Sequence, residues 1–186
     1  MRLAIFIDGG YFEKIIKNEF GEIPIDFAKL VEVLTGGREL LRTYYYNCLP
    51  YQSNRPTQEE SERFAKKEGY FSYLRRLPRF SVRLGKLAFR GVGSDGKKDF
   101  EQKGIDTLLS IDMVNLAATR QVSDIILLAG DSDYIPAVEV VKTHGVGVNL
   151  YHSQKRESYH IDLWQTCDER FPINQNLINK VKVPGP

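Results

Sequence analysis

The sequence predicts an α/β protein, a mainly parallel central sheet covered by helices. Three observations predict it. Leu3–Ile7 and Ile125–Ala129 are continuous apolar, β-prone runs, as expected of strands buried on both faces. Each run ends in a turn of glycine and aspartate, Asp8-Gly9-Gly10 and Gly130-Asp131-Ser132-Asp133. Strand-like and helix-like segments then alternate along 186 residues, a length that fits a single domain over 1–186 rather than two cores.

After the first strand, a helix is expected through Tyr11–Asn18. Asp26 is placed to cap a second helix carrying Phe27, Leu30, Val31 and Leu34, with Gly36-Gly37 as its stop. Arg42–Cys48, rich in tyrosine, reads as a strand. Pro50 and Pro56 punctuate a loop, and 58–77 reads as a charged helix, so that about 55–80 forms a basic helical insertion. Phe80–Phe89 alternates through Val82, Leu84 and Leu87 like a strand, and Gly91–Lys98 reads as a mobile surface loop. Ile105, Leu109, Met113 and Leu116 recur at helical spacing. Asp124–Ala129 is the second apolar strand, a helix with Val138 and Val141 ends near His144-Gly145, and Val146–Tyr151 is a further strand. The C-terminal extension, about 152–186, is expected to hold one short helix near 158–167, anchored by Trp164, and a loosely held tail.

Composition narrows the function classes. A hydrophobic fraction of 42% and a charged fraction of 27% exclude a disordered or fibrous chain. No apolar stretch is long enough to cross a bilayer, and no signal-type apolar core follows a basic amino terminus. Cys48 and Cys167 suggest neither a disulfide framework nor a thiolate zinc site, and read as half-buried thiols. His144, His152 and His160 lack the spacing of metal ligands. A soluble cytoplasmic protein without a membrane partner is the expectation, with a homo-oligomer left open. Net charge is only +2, but residues 55–103 hold 13 Lys/Arg against 7 Asp/Glu. One region can therefore attract a polyanion while the net-negative remainder holds cations. A solvated basic helix face explains the same charge equally well.

The two apolar strands each deliver aspartate at their carboxyl ends, where open parallel sheets bind ligands. Asp8 follows one strand; Asp131 and Asp133 follow the other. Each alone is explained by a turn or a helix cap. Brought together, their charges require protons or a cation, and short oxygen ligands suit Mg²⁺ or Mn²⁺. Asp106, after Lys103-Gly104 at the start of a helix, is a third contributor, with a role at the helix terminus as the alternative. Lys103 would contact phosphate or, as the commoner use of lysine, stand exposed to water; Ser132 would bond a carboxylate or phosphate or, equally, form the turn. Asp112 falls between Leu109 and Leu116 on the apolar face, about 9 Å along the helix from Asp106, which gives it a supporting place outside the ligand set.

Taken together, Phe6-Ile7-Asp8-Gly9, Lys103-Gly104-Ile105-Asp106, Ile111-Asp112-Met113 and Gly130-Asp131-Ser132-Asp133-Tyr134 resemble the NYN domain family, in its bacterial LabA-like branch of the PIN-like nucleases. The resemblance runs from residue 3 to about 151. It implies a PIN-like three-layer sandwich and metal-dependent cleavage of RNA phosphodiester bonds. Asp8, Asp106, Asp131 and Asp133 would be the catalytic, metal-binding acids and Asp112 a supporting member. Mg²⁺ or Mn²⁺ held there would activate water and stabilise phosphate charge, with one ion or two left open. One position departs: many family members carry asparagine three residues after the first aspartate, and Tyr11 stands there.

The basic insertion offers Lys66, Lys67, Arg75, Arg76, Arg79 and Arg83 to the phosphates of RNA, single-stranded by preference. Tyr70, Phe71 and Tyr73 would stack bases or, as the commoner use of aromatics, pack the helix on the sheet. Two other functions compete with a ribonuclease. One is a non-catalytic RNA-binding or assembly protein. The other is a small-substrate phosphohydrolase, weakened by Gly10 where an aspartyl phosphatase would carry a second aspartate. Gly9-Gly10 does not make a dinucleotide-binding loop, and no nucleophile elbow supports a serine hydrolase.

Overall fold

Strand β1 (Leu3–Asp8) is the first apolar run, and it lies at the centre of the sheet. The computed structural model describes the backbone of residues 2–92 and 98–184, with all side chains in that range except those of 88–90, 92 and 98–103. The other strands are β2 (Leu40–Cys48), β3 (Phe80–Val92), β4 (Lys98–Lys103), β5 (Asp124–Leu128), β6 (Gly147–Ser153) and β7 (Glu169–Ile173). Their order is β4-β3-β2-β1-β5-β6-β7. Six strands run parallel, and β4 joins β3 antiparallel at one edge.

Among the described residues seven helices cover the sheet: α1 (Gly9–Phe20), α2 (Phe27–Thr35), α3 (Gln58–Arg75), α4 (Ile105–Ala118), α5 (Ile135–Thr143), α6 (Ile161–Thr166) and α7 (Gln175–Val181). Their buried faces sort into two apolar clusters, one on each side of the sheet. Phe12, Ile15, Leu30, Phe71, Leu74 and Ile178 place α1, α2, α3 and α7 against one side, with Ile5 and Ile7 of β1. Leu109, Met113, Val138 and Leu163 place α4, α5 and α6 against the other, with Ala4 and Phe6 of β1. Alternate residues of one strand thus feed opposite cores, as the two-residue period requires. The result is a three-layer α/β sandwich. No helix among the described residues is long and apolar enough to cross a membrane.

The expected elements recur with shifted ends. Asp26 caps α2 through the Lys29 N–H, and Gly36 ends it with φ of 56°. Two strands were not foreseen. β4, Lys-Asp-Phe-Glu-Gln-Lys, has no apolar run to announce it, and β7 carries Pro172, which an edge strand tolerates. The loop expected over 91–98 instead begins within β3 and ends in β4, and its centre, 93–97, lies outside the described residues. The carboxyl terminus is a correction too. Rather than a loose tail, β7 extends the sheet, and Ile173, Ile178 and Val181 are fully buried. Backbone bonds from Asp26 N–H to Val181 and from Val183 N–H to Pro24 tie it down.

Candidate active site

Helices lie on opposite faces for the β1–β2 and β5–β6 crossovers, so the gap between β1 and β5 is the topological switch point. In such sheets the crevice beyond the strand ends at that point binds ligands. Asp8 ends β1, in register with Tyr46 of β2, and Asp131 lies three residues past the end of β5. Asp8 also caps α1, its Oδ1 accepting the Tyr11 N–H at 3.0 Å. The turn is tight. A methyl group on Gly9 would stand 2.5 Å from the Tyr45 ring and 2.7 Å from the Tyr46 carbonyl, so glycine is required there.

Tyr134 connects the acids. It belongs to a 3₁₀ turn, Ser132–Tyr134, and is fully buried. Its hydroxyl lies 2.9 Å from Asp8 Oδ2 and 2.8 Å from Asp106 Oδ1. The two carboxylate oxygens can be separated by no more than those two contacts laid end to end. A phenol has one proton, so it donates to one carboxylate at a time. The other short contact needs a proton on a carboxyl group or a cation beside it. Burial, with the Asp106 charge adding to it, raises the Asp8 carboxyl above the usual range, against the lowering effect of the Tyr11 N–H and the Tyr134 hydroxyl. Burial and the two carboxylates push the Tyr134 phenol far up, so it remains a neutral donor.

Two carboxylates around a hydroxyl make a hard-oxygen donor set. Mg²⁺ uses such sets when it keeps several waters and takes one or two carboxylates. The residues therefore fit a hydrated divalent ion held by Asp8 and Asp106. They do not form an all-protein cage: among the described residues, no group of three or more His, Cys, Asp or Glu is arranged to hold an ion.

Asp8, Asp131 and Ser132 line one cleft of about 450 Å³ with Gly10, Tyr11, Lys14, Gly130 and residues 157–160. Asp131 is exposed, and its Oδ1 accepts the Asp133 N–H at 3.0 Å. It is Asp131, not Asp133, that caps the turn. Asp133 is exposed and lies outside the lining of this cleft. Tyr11, in the place of the family's asparagine, has a structural occupation. Its hydroxyl accepts the Ser153 N–H at 2.9 Å, and its ring packs on Gly130, where a methyl group would stand 2.3 Å away.

Sequence reasoning missed Tyr134 as a site residue, and Lys14, an exposed ammonium on the cleft wall. The signal for Lys14 was its place one helical turn beyond Tyr11 on α1.

The remaining candidates separate. Asp112 lines another cleft with Arg42, Tyr44 and Arg83. It accepts the Tyr46 hydroxyl at 2.8 Å and two Arg83 bonds of 2.9 and 2.6 Å, so it is not brought into the acid pair. Arg83 is accordingly neutralised by a carboxylate. Lys67 is clamped on Glu13 at 2.5 and 2.6 Å, whereas Lys66 is exposed. Because α3 returns between two parallel strands, Arg75, Arg76 and Arg79 fall at the amino edge of the sheet, opposite Asp8. Arg79 donates to the Leu40 carbonyl at the start of β2. Phe71 is fully buried and Tyr70 half-buried in the core, while Tyr73 is 46% exposed. The Lys103 side chain lies outside the described residues.

Comparison with known proteins adds three findings. The NYN domain matches residues 2–174. A stretch of 50 residues is 40% identical to uncharacterized protein y4oD of Sinorhizobium fredii (strain NBRC 101917 / NGR234), covering 27% of this chain and 23% of that relative. The whole fold is similar to the crystal structure of a protein of unknown function, VPA0982, from Vibrio parahaemolyticus RIMD 2210633. That likeness has a TM-score of 0.67 at 20% identity, over 94% of each chain.

Proposed function

The chain belongs to the NYN domain family, a PIN-like nuclease-type domain, and on that premise we propose that it is a metal-dependent endoribonuclease hydrolysing RNA phosphodiester bonds. One observation carries the reading. The Tyr134 hydroxyl holds Asp8 and Asp106 together at the switch point, and Asp131 faces the same cleft as Asp8. Mg²⁺ or Mn²⁺, when bound, would supply a lowered pKa for attacking water and charge stabilisation at phosphorus. Asp8 and Asp106 would hold it, with Asp131 available from across the cleft. Tyr134 fixes the two carboxylates. Lys14 presents a positive charge to a phosphate entering the cleft, and Ser132 a hydroxyl. The motifs around Asp8, Asp106 and Asp131 support a LabA-like placement within the family. A cytoplasmic setting and unpaired RNA as substrate belong to the same reading.

A specific observation favours a second reading, a non-catalytic RNA-binding protein on the same fold. Asp131 Oδ1 is spent on a turn, and a phenol fills the gap between the other two acids. Cleavage of single-stranded and structured RNA in Mg²⁺, Mn²⁺ or EDTA separates the two. Activity that needs the metal and is lost in Asp8→Asn and Asp131→Asn, at matched stability, supports the nuclease. Binding without cleavage, or activity equal to wild type in both variants, overturns it, and a small phosphate ester run in parallel tests phosphohydrolysis.

A further inference from the structure

A second cleft, of about 520 Å³, opens under the amino-terminal half of α3. On that half Phe64 is only half-buried and no residue is fully buried. The buried residues of α3, Phe71 and Leu74, are both in its last two turns. A capping box between Thr57 and Glu60 nevertheless fixes where the helix starts. Leu49, Pro50 and Leu87 give the cleft an apolar wall, and Arg63 and Lys66 stand on its rim.

Those two cations are one helical turn apart on α3 and exposed. Among the described residues neither has an ion-pair or hydrogen-bond partner. The polar wall is otherwise engaged. Asn47 donates to Glu13 at 3.0 Å and accepts the Cys48 N–H at 2.8 Å, while Glu13 also takes Lys67 and the Tyr45 hydroxyl. What remains available is an apolar wall with two unmatched positive charges beside it. An unpaired nucleotide has the complementary form, an apolar base face between phosphates.

The cleft also adjoins the acids. Glu13 lies five residues after Asp8 on α1, about 7.5 Å along the helix, and Lys14 lines the acid cleft. Asn47 and Cys48 follow directly on Tyr45 and Tyr46, against which the Asp8-Gly9 turn packs.

We propose that this second cleft seats an unpaired nucleotide of the substrate strand, its base against Leu49, Pro50 and Leu87 and its flanking phosphates on Arg63 and Lys66. The assignment rests on reading the acid cleft as a nuclease site and supplies the subsite that holds the strand beside it. Since the polar side chains of the wall are already paired, none is free to read a base edge, and the seat accepts any base.

The test is binding of a fluorescein-labelled oligouridylate to the full chain in EDTA, followed by anisotropy across a salt series. The double variant Arg63→Gln/Lys66→Gln is expected to weaken binding about tenfold or more at low salt. Its slope of log K on log salt should fall by about 1.4, from two lost phosphate contacts on a single strand. Arg75→Gln/Arg76→Gln removes the same charge at the opposite edge and should bind within about twofold of wild type. An abasic oligomer of equal length should bind wild type several-fold less tightly than the oligouridylate. Equal losses in the two double variants, no loss in the first, or equal affinity for the abasic oligomer each overturn the proposal. Turnover is absent in EDTA, so failure of the nuclease reading, seen as no Mg²⁺-dependent cleavage, is a separate result.

Discussion

Tyr134 has no exposed surface, and its one polar side-chain atom lies between two carboxylates. A hydrogen bond from a buried phenol to a charged acceptor is worth about 1.5–3 kcal/mol. Tyr134→Phe is therefore expected to lower unfolding free energy by about that amount, measured by urea denaturation in EDTA. An unchanged midpoint would remove the hydroxyl from the account. At this scale the sequence shows the acids but not their link. Asp8 and Asp131 are legible because each follows an apolar strand. Tyr134 reads as an ordinary core aromatic, since its partners arrive from β1 and from α4, far away in the chain. Gly130 is similar: its need for glycine comes from the Tyr11 ring, 119 residues earlier.

Elements were legible where apolar periodicity is strong. α2 shows it clearly, while α4 carries apolar residues on most of its faces and the charged β4 has no such pattern. α3 is recognisable as a helix from its cap and charges, but a helix read in isolation has no direction in space. The run of basic residues that looks like one patch is divided by the fold, with Arg63 and Lys66 near the carboxyl edge and Arg75, Arg76 and Arg79 at the other. Gly69 lies exposed in the interior of α3 with nothing within 4 Å of an added methyl group. Gly69→Ala should stabilise the protein by about 0.5–1 kcal/mol, read from the same urea midpoint. A loss of stability would mean that α3 is not continuous through that residue. Asp112 tests another element-scale statement. Its bonds run to Tyr46 and Arg83 and join α4 to β2 and β3. Asp112→Asn should cost stability yet retain metal-dependent cleavage in the folded fraction; loss of cleavage at full folding would give it a role in the acid site.

Across the whole molecule, alternation of strands and helices announced the parallel sheet, and the two apolar clusters agree with it. Strand order was not legible, because pairing partners such as β1 and β5 are separated by more than a hundred residues. That order creates the switch point, and so the site. It also buries His152 near the carboxyl end of β6. The His152 Nε2 accepts the Trp164 indole N–H at 3.2 Å, and Nδ1 lies 2.8 Å from the Ser153 carbonyl, which fits a neutral ring. Burial lowers its pKa below the ordinary 6.5, against a smaller raising effect of the Ser153 carbonyl. The unfolded chain then takes up the proton first, so stability is lost as pH falls through the unfolded value towards the folded one. Melting temperature should drop between about pH 7.5 and about pH 5.5, and drop less in His152→Asn. An identical pH profile in the variant would contradict the assignment.

The proposed convergence of Asp8 and Asp106 on one hard cation is tested most directly by Mn²⁺ binding, followed by calorimetry on the full chain. Wild type and Asp112→Asn should bind the ion with the same affinity, and Asp8→Asn and Asp106→Asn should each lose most of it. Equal binding by all four proteins would contradict the shared site.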